Sequence, residues 1–264
     1  MRLRLSAAGL LAAGLIGIGV LPETPGSTAH DSSRDSARTA TKGIAVVELF
    51  TSEGCSSCPP ADRLLRTLVK EARSSDRPVY GLSFHVDYWN DLGWKDPYST
   101  PAFSQRQRRY AEALGVRVYT PQMVVNGTEA FVGSRRSQAR SALQSALSEA
   151  APVDLQVQLT SDAAQSPAVR ATMSNPPTDA VLRAALVERG LSQSVRSGEN
   201  AGRTLRHANV VRAFKSASAK ATRSFEFAAP STLDPSRASI IVYVQDRMSM
   251  QILGAARVDL RASS

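Results

Sequence analysis

The stretch VELFTSEGCSSCPPAD, residues 47–62, places two cysteines between an apolar run and the start of a helix. Residues 44–50 are almost all apolar, which is typical of a strand buried on both faces of a sheet. The two prolines after the second cysteine suit the first turn of a helix, because their missing N–H groups would be unpaired there anyway. The stretch therefore predicts a strand, a Cys-x-x-Cys motif and a helix that begins at about Pro59.

The position of the two cysteines, Cys55 and Cys58, favours thiol chemistry. The unpaired N–H groups and the positive end of the helix dipole face Cys55 and stabilise its thiolate. In motifs placed in this way the thiol pKa falls to roughly 3.5–7.5 from about 8.5. Such a thiolate attacks a disulfide, and the second cysteine resolves the mixed disulfide that forms. We therefore predict that Cys55 is the nucleophile and Cys58 the resolving thiol.

These are the only cysteines of the chain, so they are not part of a stabilising disulfide framework. A bridge that closes so small a loop also constrains the unfolded chain very little. Stability is therefore a weak reason for their presence.

Residues 43–150 alternate between strand and helix patterns. After the first strand and a helix with an apolar stripe up to Ala72, we predict, in order, a strand (79–86), a long loop (87–101), a helix (102–114), a strand (122–125), a hairpin at Asn126-Gly127, a strand (128–132) and a helix (137–150). This order predicts an α/β unit, with a mixed sheet covered by helices on both sides.

After residue 151 the helical patterns become rare and short alternating strands predominate. We predict strands within 153–159, 168–173, 181–188, 223–227, 239–245 and 252–260. Such strands, with turns between them, indicate a small antiparallel β-sandwich over residues 151–264. The prediction is thus two domains with a boundary near residue 151.

Polar and aromatic residues follow the second predicted strand, in the run His85-Val86-Asp87-Tyr88-Trp89-Asn90. The carboxyl ends of parallel strands meet at one edge of an open α/β sheet, so we expect His85 and Asp87 to lie near Cys55. His85 and Trp89 are candidates for substrate binding, and His85 also suits a proton shuttle or a metal ligand. A structural histidine bonded to the following loop is the alternative.

Glu48 is the acidic residue within the first apolar strand. A buried carboxylate below the cysteines could accept the proton of Cys58 during resolution. A paired acid with a purely structural role is the alternative.

The first residues have the features of a secretory signal. Two arginines precede an apolar stretch, and small residues follow at about position 29. We predict a signal peptide over 1–29, a flexible leader over 30–42 and a secreted or periplasmic location, with an uncleaved membrane anchor as the alternative. Contact with a membrane is expected only in that second case.

The formal net charge of +9 does not by itself indicate a nucleic-acid partner, because the arginines are scattered. The densest group, residues 106–109, lies within a predicted amphipathic helix, where we expect it to be solvated. We predict no nucleic-acid binding.

The run 47–62 resembles the signature of a family of secreted bacterial thioredoxin-like proteins of unknown function. Residues 85–98 and 198–212 carry further similarity, so the resemblance spans most of residues 43–262. It implies a thioredoxin-like first domain and supplies no substrate. Asn90 stands where the family usually has an acid. Residues 198–212 are expected to be either a binding loop or a structural connection packed against the first domain.

In thioredoxin-like proteins a cis-proline loop faces the cysteine pair, and the residue before the proline offers backbone groups to the substrate. Thr120-Pro121, ahead of the predicted hairpin, matches this arrangement. The resemblance therefore implies a site role for Pro121 and a substrate contact for Thr120. An ordinary trans proline at the start of an edge strand is the alternative.

Three functions remain open at this point. The leading one is an extracytoplasmic thiol–disulfide oxidoreductase acting on a protein thiol or disulfide, with no cofactor and no metal. The second is a copper-handling protein with Cys55, Cys58 and His85 as ligands, since thiolates and imidazole suit copper(I). The third is a non-catalytic binding module on the same scaffold.

Overall fold

The computed structural model describes residues 42–260. The predicted signal peptide, and all of the predicted leader except residue 42, lie outside the described residues. The helices are α1 (Pro59–Ser74), α2 (Pro101–Leu114) and α3 (Arg136–Ser148), with a short 3-10 helix at Pro235–Arg237. The strands are β1 (Ala45–Thr51), β2 (Val79–His85), β3 (Gln122–Val125), β4 (Glu129–Val132), β5 (Leu155–Ser161), β6 (Ala168–Met173), β7 (Ala180–Glu188), β8 (Ser192–Ser194), β9 (Thr204–Arg206), β10 (Val210–Ser218), β11 (Thr222–Glu226), β12 (Ala238–Asp246) and β13 (Ile252–Asp259).

A mixed eight-stranded sheet forms the centre of the fold, in the order β13-β12-β7-β10-β2-β1-β3-β4. β1 runs parallel to β2 and antiparallel to β3. A second sheet has the order β11-β6-β5, and β8 and β9 form a separate two-stranded hairpin. The α/β class predicted from the sequence is confirmed in this form.

The alternation of side chains along β1 assigns its residues to two cores. Val47 and Leu49 pack with the apolar stripe of α1 on one face of the sheet. Val46 and Phe50 pack on the opposite face with residues of α2. Successive strand residues point to opposite faces, and both faces of β1 are covered. Nearly every position of the strand is therefore apolar.

Part of the second half of the chain joins the first sheet, and another part forms the separate β11-β6-β5 sheet. β10 pairs with β2 in parallel where Val210 meets Ser83, and the Asn209 side chain donates to the Gly81 carbonyl at 2.8 Å. The second sheet packs its apolar face on β7 and β12. The expected antiparallel strands after residue 151 are therefore present, but four strands of this half extend the α/β sheet. An alternating pattern predicts a strand but does not say which neighbour it pairs with. Here β10 pairs with the edge of β2 that β1 leaves open.

The Asn126-Gly127 hairpin predicted from the sequence is present. Asn126 and Gly127 have positive φ values of 47° and 71° and are the central residues of a turn in which the Thr128 amide donates to the Val125 carbonyl at 3.1 Å. The loop has three residues, 126–128, between the paired Val125 and Glu129, and not the two that the sequence predicted. An added Cβ at Gly127 would lie 1.9 Å from the Met250 carbonyl oxygen, so only glycine fits this approach. No helix within residues 42–260 is long and apolar enough to cross a membrane.

Candidate functional site

Cys55 and Cys58 form a disulfide at the point where β1 leads into α1. The Cys58 amide donates to the Cys55 carbonyl at 3.2 Å, and the Ser57 hydroxyl lies 3.4 Å from the Cys55 sulfur. Ser56 and Ser57 are exposed, whereas both cysteines are fully buried. The sulfur pair therefore lies directly beneath a surface formed by the two serines.

Cys58 is the N-cap of α1, and its carbonyl accepts from the amides of Ala61 and Asp62 at 2.9 and 3.2 Å. Asp62 lies one turn further along the helix, so its side chain shares a face with Cys58. It is 4% exposed, and the Thr51 hydroxyl donates to its carboxylate at 3.4 Å. Burial raises the pKa of Asp62, although the nearby imidazoles of His207 and His85 act in the opposite direction.

His85 ends β2 and is fully buried. Its Nδ1 lies 2.7 Å from a carboxylate oxygen of Asp96, which also accepts from the Glu53 amide at 2.8 Å. Burial alone would lower the pKa of His85, but the adjacent Asp96 carboxylate raises it above the usual value. The same imidazole holds the pKa of Asp96 below its usual range against the effect of burial.

His207 brings a second imidazole to this cluster from the other half of the chain. Its ring centroid lies 4.8 Å from that of His85, and its Nε2 lies 3.0 Å from a carboxylate oxygen of Glu53. The other Glu53 oxygen accepts from the Trp94 indole at 2.9 Å. Within residues 42–260, Nε2 of His85 and Nδ1 of His207 are buried without a hydrogen-bond partner. Each of the two imidazoles therefore has one ring nitrogen that can bind or release a proton.

A loop from the second half of the chain covers the cysteines. The buried Asn200 amide donates to the carbonyls of Glu53 and Cys55, at 2.8 and 2.9 Å. The exposed Glu199 carboxylate accepts from the Ser56 amide at 3.0 Å, and hydrogen bonds with the hydroxyl and the amide of Ser56 lower the pKa of Glu199. Of the two roles left open for residues 198–212, the loop thus has a packing role directly over the candidate site.

The remaining site candidates are Pro121 and the two substrate-binding candidates Thr120 and Trp89, and they lie near residues 54–61. The Thr120–Pro121 peptide bond is cis. The Trp89 indole donates to the Thr120 hydroxyl at 2.8 Å, and the Trp89 Cβ would be 3.1 Å from a Cβ added at Gly54. A Cβ added at Gly133 would be 3.1 Å from the Ala61 Cβ and 3.4 Å from the Pro121 Cβ. Pro121 therefore lies close to the first turn of α1.

The comparisons with known proteins identify a family whose model spans the residues of this site. The model of the family described as Protein of unknown function (DUF1223) matches residues 46–245, which include every residue of the cluster. The chain belongs to this family. No curated protein matches the chain.

Two solved structures are similar to this DUF1223 chain to different degrees. A crystal structure of a protein from Agrobacterium tumefaciens is 27% identical, with 85% of this chain and 98% of that one covered and a TM-score of 0.65. A domain of the outer membrane lipoprotein Omp28 from Porphyromonas gingivalis is 14% identical, with 43% and 92% covered and a TM-score of 0.28. The first similarity extends over both halves of the chain.

Glu48 lies away from the sulfur pair in this DUF1223 protein. Because it alternates with Val47 and Leu49, it faces the α2 side of the sheet, opposite α1. There it receives two hydrogen bonds from Arg106, at 2.6 and 2.7 Å, and one from Tyr110 at 2.8 Å. These contacts favour the structural role that the sequence left open. Arg106 and Gln107 are buried whereas Arg108 and Arg109 are exposed, so the expectation that residues 106–109 are solvated is wrong for the first two.

Asp87 also differs from expectation. It accepts from the Ser104 hydroxyl of α2 and is not part of the His85 cluster. Within residues 42–260, no group of three or more His, Cys, Asp or Glu side chains has the geometry to hold a metal ion. The ligand set suggested for copper is therefore not assembled in this disulfide-bonded state.

Sequence reasoning missed five residues of the site as functional candidates: Glu53, Asp62, Asp96, Asn200 and His207. The available signal for His207 was its rarity, since the chain has three histidines and two of them meet here. Glu53 and Asp62 flank the cysteines and are nearer to the Cys-x-x-Cys motif in sequence than Glu48 is. That position was the available signal for these two acids. Asn200 gave no signal beyond the family resemblance.

Proposed function

We propose that this chain is an extracytoplasmic thiol–disulfide exchange protein on a thioredoxin-like scaffold, and that its substrate is a protein thiol or disulfide. One observation carries the proposal: the Cys55–Cys58 disulfide caps α1, with a buried carboxylate of raised pKa one turn away at Asp62. Disulfides persist mainly outside the cytosol, which agrees with export. The closeness of Pro121 to the first turn of α1 adds support.

In the reducing direction, the Cys55 thiolate attacks one sulfur of a substrate disulfide. A new S–S bond joins Cys55 to the substrate while the substrate bond breaks, and the departing thiolate takes a proton from water. Cys58 then gives its proton to Asp62 and attacks the Cys55 sulfur. The second substrate sulfur leaves as a thiolate and takes a proton from water, the protein disulfide is restored, and two electrons have passed to the substrate. The opposite direction uses the same steps in reverse.

The burial of both sulfurs adds a condition to this chemistry. A macromolecular substrate cannot reach Cys55 while the 198–200 loop bonds to Ser56 and to the Cys55 carbonyl. We therefore include displacement of this loop as the step that opens the site.

Trapping of mixed disulfides tests the proposed function. A Cys58→Ser variant, reduced and mixed with a disulfide-containing peptide, should retain the peptide on Cys55, because no resolving thiol remains. Mass spectrometry before and after dithiothreitol measures the adduct. The matched Cys55→Ser variant should form far less adduct, since the proposal assigns the attack on the substrate to Cys55 and only the resolving step to Cys58. Equal adducts on both variants, or none on either, would refute the proposal.

Loosening the loop should accelerate reduction of the wild-type disulfide. Asn200→Ala removes two hydrogen bonds that exist only in the closed state, each worth about 1 kcal/mol, so reduction by a bulky phosphine should become roughly tenfold faster or more. The rate is followed by alkylation of the released thiols. Ser194→Ala is the matched control, because Ser194 lies on the same hairpin and its hydroxyl bonds to Thr204 and not to the cysteine turn. An unchanged rate in Asn200→Ala would mean that this loop does not limit access.

A further inference from the structure

A polar cleft lies away from the cysteine site, on elements that carry none of the residues of that site. It has a volume of about 490 Å³ and is lined by three arginines and two serines, together with Val181 and Ala217. The arginines come from α2, β7 and the β12–β13 turn, and both serines come from β10. These polar residues are Arg109, Arg183, Arg247, Ser216 and Ser218.

Strand register explains why these residues converge. Arg183 of β7 lies directly between Ser216 of β10 and Tyr243 of β12. The next row on the same face contains Ser218 and Val181. This is the face that α2 covers, and Arg109 extends over it from the exposed side of α2. The cleft is therefore built by the sheet, although its donors lie far apart in the sequence.

The hydrogen bonds within the cleft involve neutral partners. Arg183 donates to the Ser216 hydroxyl at 2.5 Å and to the Gln245 side chain at 3.3 Å. Arg247 donates to the Ser218 hydroxyl at 3.1 Å. These contacts hold the guanidinium groups in place without neutralising them.

No carboxylate balances the three arginine charges. Across residues 42–260, none of the three arginines has an acidic group within 4.0 Å, although other arginines of the chain do. Asp246, which directly precedes Arg247, accepts instead from the amides of Met248 and Ser249. Three positive charges therefore share one cleft without a counter-charge.

The electrostatics of Arg183 agree with this picture. Burial lowers its pKa, and the positive charges of Arg106 and Arg109 lower it further, while Tyr243 and Glu48 act in the opposite direction. The charge of Arg106 is already matched by Glu48 on the protein side of the cleft. An anion placed in the cleft would therefore meet arginine charges that no carboxylate of residues 42–260 approaches within 4.0 Å.

We propose that this cleft binds a phosphate group, either as inorganic phosphate or as the phosphate monoester of a larger molecule. Guanidinium groups present paired N–H donors that match phosphate oxygens, and charge-assisted hydrogen bonds of this kind are the strongest available to a protein surface. The two serine hydroxyls supply further donors on the same side. The inference does not depend on the redox proposal.

Calorimetric titration of the full chain with inorganic phosphate, at fixed ionic strength in chloride, tests the site. The double variant Arg183→Gln/Arg247→Gln should bind phosphate at least about tenfold more weakly, since it loses two charge-assisted donors. Arg117→Gln/Arg170→Gln is the matched control, because it removes the same charge from two exposed arginines outside the cleft and should bind as the wild type does.

A parallel titration with glycerol phosphate distinguishes the two sources of the group. Tighter binding of the ester would identify a larger ligand, and tighter binding of inorganic phosphate would identify the free ion; either result supports the site. Equal weakening in both double variants would show diffuse attraction to a basic surface and overturn the proposal. Absence of phosphate binding to the wild type would overturn it as well. Circular dichroism checks that each variant is folded.

Discussion

Replacing Glu48 by alanine should lower the free energy of unfolding by about 3–5 kcal/mol, the usual cost of removing one partner from a buried ion pair. The variant would leave the Arg106 guanidinium buried without its counter-charge. Within residues 42–260, the other groups around Arg106 are the Gln245 side chain and four aromatic rings, and none of these can replace the carboxylate. The cation–π contacts would soften the loss without neutralising the charge.

Urea unfolding of two matched variants measures this effect. The exposed pair of Arg140 and Glu71 has a similar distance of 2.9 Å, but its side chains are 50% and 45% exposed. Glu71→Ala should therefore cost less than about 1 kcal/mol, since solvent screens such a pair. Equal losses in Glu48→Ala and Glu71→Ala would contradict our view that the buried pair holds α2 to the sheet.

The Glu48 variants also separate the two roles considered for this residue. Glu48→Gln keeps the shape and loses the charge, so a folded sample can be assayed for resolution of a mixed disulfide. Because Glu48 faces α2 and Cys58 belongs to the α1 side, the resolution rate should stay close to that of the wild type. A large loss of rate at unchanged stability would restore Glu48 as a proton acceptor.

Local pattern was sufficient to predict the elements that carry the cysteines. The apolar run of β1, the prolines at the start of α1 and the Asn126-Gly127 turn each express a local constraint, and each lies where it was expected. The sequence also predicts that Glu48 lies on the opposite face of the sheet from Val47 and Leu49, since it alternates with them. The sequence could not say which neighbour would occupy each face.

The long-range partners were beyond this reasoning. Asn200 reaches the Cys55 carbonyl across 145 residues, and His207 reaches Glu53 across 154. Both depend on β10 pairing with the edge of β2, and a period-two pattern carries no information about that choice. The site is thus assembled by sheet pairing, whereas its cysteine motif is assembled by local sequence.

Replacing Asp62 by asparagine should slow the resolution of a mixed disulfide about 100-fold, the lower range of what a positioned general base contributes. Asparagine keeps the size of the side chain and its contact with Thr51 but cannot accept the proton of Cys58. Rapid mixing with a disulfide peptide, followed by acid quench and mass spectrometry, measures the lifetime of the adduct. Asp76→Asn, just beyond the other end of α1, is the matched control and should resolve the adduct at the wild-type rate.

Stability measurements separate a proton acceptor from a purely structural acid at this position. The folded-state pKa of Asp62 lies above its ordinary value of 3.8, so its contribution to stability is fully present below that value and is lost as the pH rises through the raised pKa. Asparagine is neutral throughout, so Asp62→Asn should be at least as stable as the wild type near pH 7. Slow resolution in a protein that is no less stable would therefore identify Asp62 as the base. Wild-type resolution in the same variant would mean that another group takes the Cys58 proton.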